Sequence, residues 1–363
     1  MGDQLTWSQV IMFWVVVTLG MLIAYNQSDD RTNFIDILVC IGLICVTGLR
    51  HGYIDTRAYR NSFINLDVSE VFSFSFLTDT TQSEKGFNIF QAIIKLFTNN
   101  SQVYLFILSA LTIGMLFGGI VKRVPDRRVG IYLLIMTGCF VDTMDGARQY
   151  LVAAFLFYFL PKLIKERKLY QYVIVVLIAS TIHGTALIFL PIYFVADRKP
   201  WSISTVILSV IVLFAFIFYN SGVGRFIANI LEGTSYGDDY GEMLLAGNTS
   251  TNWLRVPIAF APLVLSFLNR NIEKDEPFYN IAFNMGIMNA ACWLLSQRAL
   301  YFYRLAIYFS PFMILLLCYE FERAYERRGD NQVQYVALIL YTAMHIYSTK
   351  VMEYLLFVGY LRY

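Results

Sequence analysis

LYQYVIVVLIASTIHGTALIFLPIYFV, residues 169–195, is the stretch on which the fold turns. It runs 27 residues without an Asp, Glu, Lys or Arg, and its one titratable imidazole, His183, precedes Gly184. A helix crosses the ~30 Å hydrocarbon core of a bilayer in about 20 residues. The run is therefore one tilted crossing or two half-crossings broken at Thr181-Ile182-His183-Gly184. The flanking charges choose between these, because loops rich in Lys and Arg stay cytoplasmic. Lys122, Arg123, Arg127 and Arg128 form one basic cluster; Lys162, Lys165, Arg167 and Lys168 a second; Arg198 and Lys199 a third; Arg270 and Lys274 a fourth; Arg323, Arg327 and Arg328 a fifth. A single crossing at 169–195 puts the third and fifth clusters outside, whereas a broken pair keeps all five inside. We read a broken pair. Its arms of about 13 residues reach ~20 Å each, so the turn lies in the outer half of the membrane.

Composition supports a membrane setting. Of 363 residues, 57% are hydrophobic and 15% charged, against about 25% charged in a soluble domain. A soluble globular protein and a disordered tail are excluded. With 28 Lys and Arg against 26 Asp and Glu, no basic footprint exists to hold a polyanion, so nucleic acid is not a partner. The five cysteines stand singly in apolar segments and read as small core side chains. Residues 5–25 are too long for a signal-peptide core and lack a basic leader, so they read as an uncleaved span.

Further apolar runs fall at 35–49, 102–121, 129–144, 148–161, 201–219, 253–268, 278–295, 299–319 and 333–347. The expected fold is an all-α polytopic bundle of about ten to twelve spans, several of them short, broken or re-entrant around a polar cavity. One integral membrane domain covers 1–363, with external loops at 50–101 and 221–252. In residues 86–99, Phe87, Phe90, Ile94 and Phe97 recur at helical spacing, which reads as an interfacial amphipathic helix.

This topology gathers the ionisable residues near span ends on the external face. Charges at membrane depth are expensive and usually meet a substrate or partner charge. In residues 48–59 (GLRHGYIDTRAY), Arg50 presents a planar fork that matches phosphate oxygens, with Asp55 and Tyr59 close by; a snorkelling Arg is the plainer alternative. Arg57 and Arg60 lie outside the motif positions. In residues 142–150 (DTMDGARQY), Arg148 and Gln149 open a helix whose N-terminus favours an anion, or Asp145 merely caps it. His183 is a packing residue or, at a helix break, a base able to take a proton from a sugar hydroxyl. In residues 297–309 (QRALYFYRLAIYF), Tyr301, Arg304 and Tyr308 share a helix face with Gln297 and Arg298 toward its start. These would stack on sugars and bind phosphate, or form an aromatic belt.

No Walker A, HExxH, G-x-S-x-G or metal-binding DxD signature occurs, so neither a cofactor nor a metal is expected. Asp238-Asp239, with Glu242, reads as a solvated acidic group.

Taken in order, these motifs resemble the EpsG-like branch of the Wzy bacterial polysaccharide polymerases: Gly48-Leu49-Arg50, then Gly52-Tyr53-Ile54-Asp55-Thr56 and Tyr59, Arg148-Gln149, His183-Gly184-Thr185-Ala186, and Arg304 to Tyr308-Phe309. The resemblance covers nearly the whole chain. It departs at Gly184, where the family commonly carries Lys or Ser, and at Tyr53-Ile54, which lengthens the Gly-x-Asp spacing by one.

The resemblance implies a polymerase in the bacterial cytoplasmic membrane that transfers a growing chain from undecaprenyl pyrophosphate to a sugar hydroxyl of a new lipid-linked repeat unit. The donor is already activated, so no nucleotide is needed. Arg50, Arg148 and Arg304 would hold the departing pyrophosphate, with Gln149 and Tyr308 beside them. His183 or Asp55 would be the base, while Arg298 and Tyr301 would position sugar or phosphate. Its plan is GT-C-like by analogy alone. Expected partners are the lipid-linked substrate, membrane lipids, and a chain-length regulator and flippase of the same pathway. A flippase, a glycan ligase and a non-catalytic assembly partner are the rival readings.

Overall fold

The computed structural model describes residues 34–51, 53–79, 84–231 and 251–360. The span expected at 5–25, the Gly52 turn and the acidic group at 238–242 lie outside them. Every assigned element among the described residues is helical, in line with the all-α expectation. The longer helices are α1 (Phe34–Gly48), α2 (Thr56–Asn65), α3 (Lys85–Lys95), α4 (Ser101–Val121), α5 (Arg127–Met136), α6 (Ala147–Lys165), α7 (Leu169–Ile182), α8 (Phe189–Ala196), α9 (Ile203–Ile217), α10 (Gly224–Leu231), α11 (Arg255–Leu268), α12 (Tyr279–Leu295), α13 (Phe302–Arg328) and α14 (Gln332–Tyr360).

Three of them, α4, α6 and α13, are long and apolar enough to cross a membrane unaided, and α9 with the segment after its 83° bend makes a fourth. Among the described residues that makes three to four candidate crossings by length and composition, against the ten to twelve expected of the whole chain. Apolar runs such as those of α7 and α11 form helices of only 10–17 residues, short of the ~20 that an upright span needs.

The core is built on α6, which packs against α4, α7 and α13. Phe157 of α6 meets Phe312 of α13 edge to face at 5.0 Å, and Gly119 of α4 lets the Phe157 ring approach so closely that an added Cβ would sit 2.6 Å from it. Helices α12 and α13 pair tightly, with Asn289 donating to the Ala306 carbonyl at 3.0 Å. In contrast, Ile203, Val210 and Ile211 of α9 are exposed, as residues facing lipid are.

Polar contacts sort the molecule into two ends. All five basic clusters gather at one. Asp36, early in α1, pairs with Arg127 at 3.2 Å; the Arg123 carbonyl accepts from Tyr319 at 2.8 Å; Asp197 meets Arg167 at 3.1 Å; Asn284 donates to the Arg198 carbonyl at 2.7 Å; Arg323 pairs with Glu276 at 2.9 Å; and Arg327 donates to the Leu268 carbonyl at 2.8 Å. The starts of α4, α6 and α13 lie at the opposite end, separated by the 21-residue length of α4, about 30 Å at 1.5 Å per residue.

Residues 169–196 turn back on themselves. Helix α7 ends where the His183 backbone becomes extended (φ −150°, ψ 109°), and a 3-10 turn, Gly184–Ile188, leads into α8. The Tyr172 hydroxyl, near the start of α7, donates to the Phe189 carbonyl at 2.6 Å, and Tyr172 packs edge to face on Tyr193 at 4.9 Å. In one continuous helix, Tyr172 and Phe189 would stand about 25 Å apart.

A smaller core of Phe63, Phe87, Ile94, Tyr104, Leu105, Leu108, Ala147 and Leu151 ties α2 and α3 to α4 and α6. Phe63 and Tyr104 stack at 4.6 Å, and Lys95 caps the end of α2 by donating to the carbonyls of Ile64 and Leu66 at 2.7 Å. Phe87 and Ile94 of the stripe expected at the membrane interface are thus turned into the protein, while Ile93, Leu96 and Phe97 are exposed.

A candidate active site of histidine, carboxylate and arginine

The small core presents one residue on which the site turns, Glu84, the N-cap of α3. Its backbone is left-handed (φ 61°), a conformation few non-glycine residues adopt. Gly86 makes this placement possible: an added Cβ there would lie 2.2 Å from the Thr181 Oγ1 and 2.8 Å from the Thr181 carbonyl carbon. Only glycine lets α3 lie against the end of α7 so closely, and it brings Glu84 beside His183.

Glu84 bridges two elements. Its Oε2 accepts from Arg148 at 2.6 Å. Its Oε1 takes the His183 Nδ1 in a short hydrogen bond and lies 3.4 Å from the Gly184 amide. A carboxylate only accepts, so Nδ1 carries the hydrogen, and in the neutral imidazole Nε2 is the basic atom. Burial alone would raise the Glu84 carboxyl; the hydrogen bond and charge of His183, joined by the charge of Arg148, outweigh it and hold Glu84 below the usual carboxylate range. Arg148 lies over the Phe87 ring at 5.5 Å, with 38% of its side chain exposed. The far side of His183 faces Tyr308, with ring planes 24° apart and centroids at 6.4 Å, and Tyr308 is bonded to Thr185 at 2.7 Å.

The start of α6 is held by α2. The Gly146 amide donates to Asp55 at 3.2 Å and the Arg148 amide to the Tyr59 hydroxyl at 3.1 Å. These two N–H groups, expected to serve an anion, are already satisfied by protein oxygens. Beside them, burial and the neighbouring Asp55 and Asp142 carboxylates push Asp145 up to about 6, against the opposing charge of Arg304. Gln149 donates to the Arg304 carbonyl at 2.6 Å, fastening α6 to α13. Among the described residues, no three His, Cys, Asp or Glu side chains gather as a metal site requires.

Of the residues singled out in the sequence, His183, Arg148, Gln149, Asp55, Arg304 and Tyr308 come together. The others are placed differently. Arg50 is buried among α1, α2 and α4, donating to Thr56 at 3.0 Å and Ser109 at 3.1 Å, and burial lowers its guanidinium to about 10. Arg60, which the sequence left outside the motif, donates to the Arg50 carbonyl at 3.0 Å and also to Gln102. Arg298 is turned to α9, where it donates to the Phe216 carbonyl at 3.2 Å and lies 4.4 Å over the Phe216 ring. Tyr301 is the N-cap of α13, its backbone helical (φ −51°, ψ −33°), and its carbonyl accepts from the Arg304 amide at 3.0 Å; its ring packs with Tyr219, Ala299 and Phe302. Glu84 was missed: TTQSEK, residues 80–85, has the composition of a solvated loop, and only the glycine two residues on marks a close approach.

Short apolar helices around a few long ones, with a hydrogen-bonded His–Glu–Arg cluster at the end away from the basic loops, define an integral membrane protein with a built polar site. The model of the EpsG family matches residues 33–362, nearly the whole chain. The chain belongs to the EpsG family, a family of Wzy-like polysaccharide polymerases. No curated protein matches it, nor does any solved structure.

Proposed function

We propose that this chain joins undecaprenyl-pyrophosphate-linked oligosaccharide repeat units into a surface polysaccharide, acting without a metal at the external face of the bacterial cytoplasmic membrane. The observation that carries the reading is the Glu84 bridge between His183 and Arg148. A flippase for the same lipid would use the cations, but it has no need of an imidazole held in one tautomer by a carboxylate. The gathering of all five basic clusters at the other end supports an external site by the positive-inside rule. On this reading 169–196 is a re-entrant hairpin that carries His183 at its tip. The single domain, with external segments at 50–101 and 221–252, shares its plan with GT-C enzymes by analogy.

In the reaction, the acceptor sugar hydroxyl attacks the anomeric carbon of the donor chain. Its proton passes to His183 Nε2 as the new C–O bond forms. The anomeric C–O bond to the pyrophosphate breaks, and the leaving oxygen keeps the electron pair. Glu84 stabilises the imidazolium that results. Arg148 and Arg304 stabilise the departing dianion, each by an electrostatic contribution of a few kcal/mol in a water-poor site. Asp55 shapes the start of α6 and shares its surroundings with Asp145, so it is the second choice of base. Arg50 acts on the site by fixing α2.

The test is incubation of the purified chain with a lipid-linked repeat unit in EDTA, read on a gel. A ladder of products without nucleotide or partner protein is expected. Transport of the unit across proteoliposomes without chain extension would overturn the reading.

A further inference from the structure

Transfer between two lipid-linked units brings two diphosphates to one site, that of the departing donor and that still attached to the acceptor. Arg148, bonded to Glu84, stands at the base. A second guanidinium at this end is differently placed. Arg255 opens α11, its amide donating to the Asn252 carbonyl at 3.0 Å, and its guanidinium lies 5.6 Å over the Trp293 ring. It is half-buried but makes no side-chain hydrogen bond and no ion pair among the described residues. Its neighbour is Asp142: a Cβ on Gly138 would lie 3.8 Å from both Arg255 Nη1 and Asp142 Oδ2. Asp142 in turn adjoins Asp145, which feels both Asp55 and Arg304. Asp142 and Asp145 thus lie near both Arg255 and the start of α6, the helix that carries Arg148.

Three other buried or half-buried arginines at this end already serve protein oxygens, although Arg50 Nη2 and Arg60 Nε find no partner, and Arg57 and Arg225 are exposed. Arg50 serves Thr56 and Ser109, Arg60 the Arg50 carbonyl, and Arg298 the Phe216 carbonyl. Arg255 keeps its planar fork open, steadied on an indole face that holds a cation without using its N–H groups.

We propose that Arg255, laid over Trp293, is a second diphosphate-binding position of the same site and holds the lipid-linked acceptor. The inference rests on the polymerase reading for its purpose but not for its chemistry. The Asp142 and Asp145 carboxylates keep the two dianions apart, and Arg255 sets where the acceptor's diphosphate is anchored while its sugar hydroxyl reaches His183.

The first experiment measures binding of radiolabelled farnesyl diphosphate to the full chain in phosphatidylcholine nanodiscs by equilibrium dialysis. Two molecules per chain are expected for the wild type, and one each for Arg255→Ala and Arg148→Ala. A wild-type stoichiometry of one, or no change in Arg255→Ala, overturns the proposal. Recovery of the lost site in Arg255→Ala/Asp142→Asn would also overturn it, because the loss would then come from a stranded carboxylate. Displacement of one equivalent by phosphatidylglycerol would assign the position to a lipid headgroup instead.

The second experiment compares acceptors. Arg255→Ala should raise KM about tenfold or more for a lipid-diphosphate acceptor, the value of one charge-assisted contact, and leave KM unchanged for the same oligosaccharide without diphosphate. An equal rise for both means that Arg255 only supports the fold. Two diphosphates bound without any ladder would refute polymerisation and leave the second position standing.

Discussion

Replacing Gly86 by Ala tests whether the approach of α3 to α7 sets the site. The new methyl would lie 2.2 Å from the Thr181 Oγ1 and 2.8 Å from its carbonyl carbon, where carbon contacts settle at about 3.5–4.0 Å. The hydroxyl can turn only by giving up its 2.7 Å bond to the Ile178 carbonyl, and the carbonyl carbon cannot turn at all. Helix α3 must therefore retreat by roughly 0.5–1 Å, carrying Glu84 away from His183. Overpacking of this kind costs about 1–3 kcal/mol, partly offset by the ~1 kcal/mol that Ala gains over Gly in a helix. Activity should suffer more than stability, because a displacement near 1 Å at a reacting group costs on the order of 10²-fold. Gly114 of α4 is the control. A Cβ there meets nothing within 4 Å, so Gly114→Ala should leave activity intact and raise stability slightly. The assays are thermal unfolding in detergent and the initial rate of ladder formation. Wild-type rate and stability in Gly86→Ala would refute the idea that this contact places Glu84.

Glu84→Gln keeps the shape but loses the charge that supports an imidazolium, so its rate should fall at least tenfold with KM little changed, and His183→Ala should abolish extension; a Glu84→Gln enzyme of wild-type rate would remove the carboxylate from the mechanism. Arg148→Lys keeps a point charge without the fork, and its kcat should stay well below wild type, checked by the same gel. Asp145, pushed up to about 6 by burial and neighbouring carboxylates, binds its proton more tightly folded than unfolded, so it favours folding below pH ~4 and loses that contribution as pH rises through 6. Asp145→Asn should therefore raise the melting temperature at pH 7–8, with the gain vanishing toward pH 4. Cysteine at Asn99 should react with an impermeant maleimide from outside intact cells and cysteine at Lys168 should not, and the reverse would invert the assigned topology.

What the sequence made legible follows the range of the forces involved. Charge bias acts over whole loops, so clusters as distant as Arg127 and Arg327 were sorted to one side before any contact was known. The stop in 169–195 was legible because a polar ring and a glycine interrupt an apolar run. Helical spacing kept Arg304 and Tyr308 in one element with Tyr301 at its start, but it could not say that the Tyr301 ring would pack with Tyr219. Glu84 escaped because its role depends on packing between residues about a hundred positions apart, and no local pattern records that Gly86 touches Thr181. Arg50 and Arg298 were assigned from residue type and motif position; which partner a guanidinium takes is decided by neighbours such as Ser109 and Phe216 that only the tertiary fold supplies.

The chain enters and leaves residues 169–196 at the same end, where Arg167 meets Asp197. A segment with that property adds an even number to the tally of crossings. On the proposed re-entrant reading, the sense in which α9 and the helices after it cross the bilayer is therefore the same whether or not the hairpin has entered it. On that same reading, the His183–Glu84 pair can form after the helices around it have taken their places without any of them reversing.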